Sequence, residues 1–224
     1  MTTTKHVYKS FLLIPSNKET TVRVLPKDIL EVYKTLNSNE PCEKILLLNM
    51  ANAYTPGGQY DLQKNNAFLM GQEESLCSRT NLRETLDRKF YPIRDNEVLL
   101  TQGIKINGTS TFLDVISCPA IDMRYKQYGV SLDSQTQGKM YIKISTIFQV
   151  ALSHGYTTLV LGALGCGGFS MPPEAVSKIF KRVINEYKGF FKEIIFAIKS
   201  EENHPKNNYN IFKNKIETYN TIQK

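Results

Sequence analysis

The chain is poor in the features that commit a protein to membranes, metals or secretion. Across its 224 residues, no apolar run approaches the roughly 18–20 residues that span a bilayer. The start, MTTTKHVYKSFLLIPSN, has neither a long apolar core nor a small-residue cleavage site, so no signal peptide is expected. There are only four cysteines (Cys42, Cys77, Cys118 and Cys166), none in a C-x-x-C pair, and three histidines (His6, His154 and His204). That scarcity argues against a structural zinc site, and no metal or other cofactor is expected. Without a secretory signal the thiols are expected to be reduced, in the cytoplasm or nucleus. Repeats, low-complexity tracts and linkers are missing too, so residues 1–224 are expected to form one domain with a full core. No coiled-coil stretch asks for a partner subunit, which makes a monomer the default.

The charge is unbalanced. Lysine and arginine number 28 against 21 acids, giving a net charge of +7. Such an excess favours anionic partners. It is not gathered into a block, since Lys178, Lys181, Arg182, Lys188, Lys192 and Lys199 are interleaved with Glu186, Glu193 and Glu201. The plainer reading is a solubility charge spread over the surface, with a dedicated nucleic-acid patch as the lesser alternative.

What the chain does contain is an alternation of elements. TTVRVL (20–25) alternates like a strand, and PKDILEVYKTLN follows with Ile29, Leu30, Tyr33 and Leu36 on one helical face and Pro26 in its first turn. EKILLLNMAN (43–52) and TTLVLGAL (157–164) are continuous apolar runs, the pattern of strands buried on both faces. EVLLTQG, TSTFLDVISCPA and KEIIFAIKS read as further strands. QEESLCSRTNLRETL (72–86), GKMYIKISTIFQVALSHG (138–155), PPEAVSKIFKRVINEY (172–187) and NNYNIFKNKIETYN (207–220) read as helices. Buried strands alternating with amphipathic helices predict a three-layer αβα fold with a mixed, largely parallel central sheet. Ligands in such sheets bind beyond the carboxyl ends of the strands.

Two of those strand ends run into glycine-rich loops. In LVLGALGCGGFSMPPEA (159–175), Gly162, Gly165, Gly167 and Gly168 precede a proline-started helix. Glycines let backbone N–H groups and a ligand come close, and the helix amino end adds partial positive charge, a combination suited to a phosphate or diphosphate. A tight turn into a helix is the plainer alternative. NMANAYTPGG (49–58) leaves the other strand with Asn52, which suits either a turn or a sugar hydroxyl. Then comes GQEES. Glu73 and Glu74 differ by about 100° in direction on a helix, so they need not share a target. They either complement the helix dipole or supply a working acid, and a carboxyl near a diphosphate is pushed towards a raised pKa.

In this order, the pieces resemble the microbial-type poly(ADP-ribose) glycohydrolase branch of the macrodomain superfamily. NMANAYTPGG is similar to that family's asparagine-bearing strand end and glycine loop, and GQEESLCSRTNL to its Gln-Glu-Glu motif. FYPI (90–93), FLDVISCPAIDMR (112–124), LVLGALGCGGFSMPPEAVSKIFKRVI (159–184) and KEIIFAIKS with NIFKN resemble further landmarks. The resemblance implies a macrodomain-like fold that binds ADP-ribose, free or attached to protein. It implies Glu74 as the catalytic acid, with Glu73 holding ribose hydroxyls and Gln72 beside them. It implies Asn52 at the terminal ribose, Gly57 and Gly58 packed against that ribose and the diphosphate, Gly165, Cys166, Gly167 and Gly168 around the diphosphate, and Phe169 orienting the ribose. The implied reaction is hydrolysis of the glycosidic bond at the terminal ribose.

Two departures bear on the substrate. The family's loop carries three consecutive glycines, and here the third position is Gln59. The stretch before Gln72 is also longer by a few residues, among them Lys64, Asn65 and Asn66. Poly(ADP-ribose), mono-ADP-ribose on protein, ADP-ribose on nucleic acid and binding without cleavage stand as alternatives.

Overall fold

The computed structural model describes residues 1–10, 13, 19–40, 43–63, 71–125, 132–200 and 207–217. Cys42, Lys64, Asn65, Asn66, Glu201 and His204, which enter the sequence analysis, lie outside the described residues.

The elements run β1 (Thr2–Val7), β2 (Thr21–Leu25), α1 (Ile29–Asn39), β3 (Ile45–Ala51), α2 (Tyr60–Gln63), α3 (Gln72–Arg79), α4 (Leu82–Thr85), β4 (Glu97–Lys105), β5 (Phe112–Pro119), α5 (Ser134–Ser153), β6 (Thr158–Leu161), α6 (Pro173–Glu186), β7 (Glu193–Ala197) and α7 (Asn208–Ile216). The strands form one seven-stranded sheet in the order β1-β4-β5-β3-β6-β7-β2. β5, β3, β6, β7 and β2 run parallel, and β4 pairs antiparallel with both β5 and β1. The expected mixed, largely parallel sheet is therefore present.

Burial explains the apolar runs. Along β3, Leu46 and Leu48 point into the layer built by α5, α6 and α7, whereas Ile45 and Leu47 point into the layer of α1, α3 and α4. A central strand with both faces covered has no use for polar alternation. On α6, Val176, Phe180 and Val183 lie on one buried stripe, and the Phe180 ring meets Phe196 of β7 edge-on at 5.0 Å.

The structure differs from the sequence reading at four places. β1 is a strand the sequence reading misses: its TTTKHV is polar and only half-buried, as suits an edge strand. Pro26 lies ahead of α1 rather than in its first turn. Asp28 is the N-cap, because its carboxylate can accept the Leu30 amide (2.9 Å) while Glu31 reaches back to the Asp28 amide. The expected helix 72–86 is broken at Thr80, which turns extended and bridges to Ile106, while its hydroxyl donates to Leu76 O (2.7 Å) and accepts from the Leu82 amide (3.2 Å). Finally, α5 starts earlier than Gly138, because Asp133 caps it through the Thr136 amide at 2.7 Å. Its end is as expected, with Gly155 at φ +72 just beyond. No described helix is long and apolar enough to cross a membrane.

Candidate active site

β3 is flanked by β5 and β6, and the loops that leave β3 and β6 come together beyond the sheet. Between them lies a cleft of about 420 Å³. One wall holds Asn52, Gln59, Gln72, Glu73 and Glu74. The other holds Gly165, Gly167, Gly168 and Phe169, with Arg124 at the side. The two glycine-bearing stretches thus share one cleft with the acids of α3.

Gln72 shows why an amide stands ahead of the acids. β6 pairs with β3 only as far as Leu47 and then turns away. Leu48 O and Met50 N would be left without partners on that edge. The Gln72 side chain takes both: its Nε2 donates to Leu48 O (2.8 Å) and its Oε1 accepts from Met50 N (2.8 Å). The side chain replaces a stretch of strand, which holds α3 against β3 while β6 swings out to open the cleft. Although Gln72 lines the cleft, both ends of its amide are occupied by backbone.

The adjacent acids have different surroundings. Glu73 is 3% exposed. Its Oε2 accepts the Asn52 amide (2.7 Å), and its Oε1 accepts Nδ2 of Asn49 (3.1 Å), which also donates to Ser117 Oγ (3.0 Å). Burial raises the Glu73 pKa from 4.5 to about 7, against the bonds from Asn52, Asn49 and Gly57 and with help from the nearby Glu74 charge. Glu74 is half-buried and faces the cleft, its Oε1 held by the Gln59 amide at 3.0 Å. Glu73 is thus a raised carboxyl at the cleft, through its burial first rather than through a neighbouring phosphate.

Gly57 and Gly58 serve the acids from behind. Both have positive φ, +74 and +61. A Cβ on Gly58 would stand 2.4 Å from Glu74 Oε1, and one on Gly57 would stand 2.5 Å from Arg83 Cδ. Gly57 lies outside the lining of the cleft, as does Gly58. Asn52 makes the turn that its sequence allows, and it does so at the cleft. Its Oδ1 closes a turn by accepting the Tyr54 (2.8 Å) and Thr55 (3.0 Å) amides, and the residue lines the cleft.

On the opposite wall the glycines divide by role. Gly165 has φ +79, and a Cβ there would meet Ala120 Cβ at 2.6 Å, so packing and backbone both demand glycine. Gly167 and Gly168 have no such need: a Cβ on either would meet nothing within 4 Å. The amides of Gly167, Gly168 and Phe169 have no acceptor among the described residues. All three residues line the cleft just ahead of α6, and N–H groups without a partner there can serve an anion. Cys166 stands apart: it is buried, its amide donates to Ala163 O (3.0 Å), and its thiol lies 3.8 Å from Leu164 O.

Two residues without a role in the sequence analysis belong to the site. Asn49, fully buried, is the inner partner of Glu73. Arg124 is pinned by Asp122 (2.5–3.0 Å) with its guanidinium 5.6 Å from the Phe169 ring centre. Its only sequence signal is its place just past the end of β5, the strand beside β3. Among the described residues, no group of three His, Cys, Asp or Glu is close enough to hold a metal ion.

Residues 2–102 match the family model of the microbial-type poly(ADP-ribose) glycohydrolase (PARG) catalytic domain. No curated protein sequence matches the chain. Among solved structures, PARG from Thermomonospora curvata is similar with a TM-score of 0.79 and 19% identity, over 95% of this chain and 85% of that one. The same enzyme bound to the inhibitor ADP-HPD gives 0.74 and 21%, over 86% and 78%. PARG from Deinococcus radiodurans in complex with ADP-ribose gives 0.74 and 24%, over 91% and 86%. The fold is that of the bacterial poly(ADP-ribose) glycohydrolases.

Proposed function

We propose that the chain is an ADP-ribosyl glycohydrolase that cleaves the glycosidic bond at a terminal ribose, with Glu74 as general acid and base. The observation that carries this reading is the division of labour between neighbouring acids. Glu73 is buried and tethered, and Glu74 is held by a backbone amide while facing the cleft. A diphosphate sits on the amides of Gly167, Gly168 and Phe169, and the terminal ribose lies between that cradle and the acids. Asn52 and Glu73 hold ribose hydroxyls, and Phe169 packs on the ribose. Arg124 offsets the ligand's charge.

Glu74 protonates the leaving oxygen as the anomeric bond breaks. The oxocarbenium-like ribose is stabilised by the neighbouring diphosphate. The Glu74 carboxylate then takes a proton from the water that attacks the anomeric carbon, which regenerates the acid and releases ADP-ribose. Adjacent acids on one helix turn cannot flank a bond as separated glycosidase carboxylates do, so one acid works and the other positions.

The substrate is poly(ADP-ribose) or ADP-ribose attached to protein, and residues 1–224 act as one monomeric domain inside the cell. The test is release of free ADP-ribose from both substrates by wild type and Glu74→Gln. The variant should keep ADP-ribose binding and lose about 10²–10⁴-fold in rate. Equal rates for the two proteins would remove Glu74 from the chemistry. Binding without release by wild type would make the chain a reader, or turn the search to ADP-ribose on nucleic acid.

A further inference from the structure

Gln59 stands at the third position of the glycine loop, where the proposed reaction gives its side chain no task. The backbone explains why a side chain is tolerated there. Gly57 and Gly58 have positive φ, +74 and +61, whereas Ser170 is the only described non-glycine residue with positive φ. Gln59 therefore has an ordinary backbone, and the loop does not require glycine at this position. The turn is fixed as well, since Tyr60 N donates to Gly57 O and Leu62 N to Gln59 O, both at 3.0 Å. What a side chain changes here is the space in front of it.

That space adjoins the working acid. Gln59 N donates to Glu74 Oε1 at 3.0 Å. The carboxylate is closely bounded: a Cβ on Gly58 would stand 2.4 Å from its Oε1, and one on Gly71 would stand 2.6 Å from its Oε2. A leaving oxygen in hydrogen-bond contact with Glu74 lies within about 6 Å of the Gln59 nitrogen if Oε1 carries the proton, and within about 8 Å if Oε2 does. A glutamine side chain extends about 5 Å beyond its Cα, so its amide can meet the atoms attached to that oxygen.

Burial gives the direction in which the leaving group runs. Glu73, beside the proposed terminal ribose, is 3% exposed, and Glu74 is half-buried. Gln59 is exposed, and Leu62 of the following α2 is 88% exposed. The leaving group carries the rest of a macromolecule. It therefore runs from the buried ribose towards the exposed end of this series and passes Gln59, which lines the cleft.

We propose that Gln59 is a specificity-determining residue that narrows the path of the leaving group, so that ADP-ribose on an unbranched protein side chain, such as serine, is preferred over poly(ADP-ribose). The inference rests on the proposed glycohydrolase reading and deepens it. In the polymer the leaving oxygen sits on a ring carbon of the next ribose, flanked by two further ring carbons, one of which bears adenine. In O-linked serine it sits on a CH2 group. A thin tether passes a side chain that a branched one meets. The bond broken is the same in both, from the anomeric carbon to that oxygen. Glu74 gives the oxygen its proton, water supplies the new hydroxyl of free ADP-ribose, and the hydroxyl of serine or of the next ribose is released. The Gln59 amide, both donor and acceptor, also suits the peptide groups around a modified serine.

The test compares kcat/KM for ADP-ribose release from a serine-linked mono-ADP-ribosyl peptide and from poly(ADP-ribose), for wild type, Gln59→Ala and Gln59→Leu. Wild type should favour the peptide. Gln59→Ala should move the ratio towards the polymer by about tenfold or more, the scale on which a few atoms discriminate in a pocket. Gln59→Leu, of similar size, should keep the wild-type preference. Affinity for free ADP-ribose, which has no leaving group, should not move in either variant. A wild type that prefers the polymer, or a ratio that Gln59→Ala leaves in place, would overturn the assignment. So would a preference that Gln59→Leu loses as fully as Gln59→Ala, because bulk would then not be the cause. Weaker binding of free ADP-ribose by Gln59→Ala would place the side chain on the ribose instead, and would overturn it too. Release from neither substrate by folded wild type would remove the proposed function, and this inference with it.

Discussion

Glycines of one loop should fail in opposite ways when given a side chain, and the contrast tests the anion cradle directly. At Gly165 the fold needs glycine: φ is +79 and a Cβ would come within 2.6 Å of Ala120 and 2.7 Å of Met171. Gly165→Ala therefore incurs left-handed strain of about 1–2 kcal/mol and overpacking of about 1–3 kcal/mol. The sum, roughly 2–5 kcal/mol, lowers the melting temperature of a protein this size by about 2–4 °C per kcal/mol, on the order of 5–20 °C in all. At Gly167 the fold needs nothing, since a Cβ would meet no atom within 4 Å. Gly167→Val should leave the melting temperature within about 2 °C. It should, however, place a side chain where the anion meets the amides of Gly167, Gly168 and Phe169. Losing one charge-assisted bond, about 1.5–3 kcal/mol, weakens ADP-ribose binding by roughly 10-fold to 150-fold. Scanning fluorimetry and calorimetry on the same two variants separate the effects. If Gly167→Val binds ADP-ribose as tightly as wild type, the free amides do not hold the diphosphate and the reading of the site fails.

Other changes act on the opposite wall or on the ligand. Gln72→Leu leaves Leu48 O and Met50 N without their partners, so urea unfolding should show a loss of about 2–5 kcal/mol, far above that of an ordinary helix-end substitution. Glu73 makes stability depend on pH in a stated direction. Its carboxyl titrates near 4.5 in the unfolded chain and about 7 in the folded one, so between those values the folded state holds the extra proton. Its contribution to stability is therefore least unfavourable below about pH 4.5 and worsens up to about 7, by on the order of 3 kcal/mol. Glu73→Gln should flatten that part of the profile; an unchanged slope would assign it to another group. Arg124→Ala should weaken ADP-ribose about 10-fold and reduce the salt dependence of binding, with little change in melting temperature because the side chain is exposed.

Which parts of this molecule can be read from its sequence follows from where each residue's partner lies. β3, β6 and β7 are legible because both faces of the sheet are covered, and their apolar runs record that directly. The end of α5 is legible because its signal, Gly155, is local. β1 is not, because an edge strand takes its identity from pairing with β4, roughly a hundred residues away in sequence, and its own composition is polar. The break at Thr80 is hidden for the same reason, since it depends on the bridge to Ile106. The site divides along this line too. The glycines before α6 and the acids of α3 announce themselves by residue type and order. The tasks of Gln72 and Asn49 do not. Gln72 reads as a polar residue beside two acids, yet its amide stands in for the strand edge that β6 abandons beyond Leu47. Asn49 sits in an otherwise apolar run, and its partners Glu73 and Ser117 come from a helix and a neighbouring strand. A polar residue placed inside a buried strand is expensive to satisfy, and in this chain the strand that carries it is the one that ends at the cleft. That placement is what turns a packing anomaly in ILLLNMA into evidence about how the adjacent carboxyl is kept.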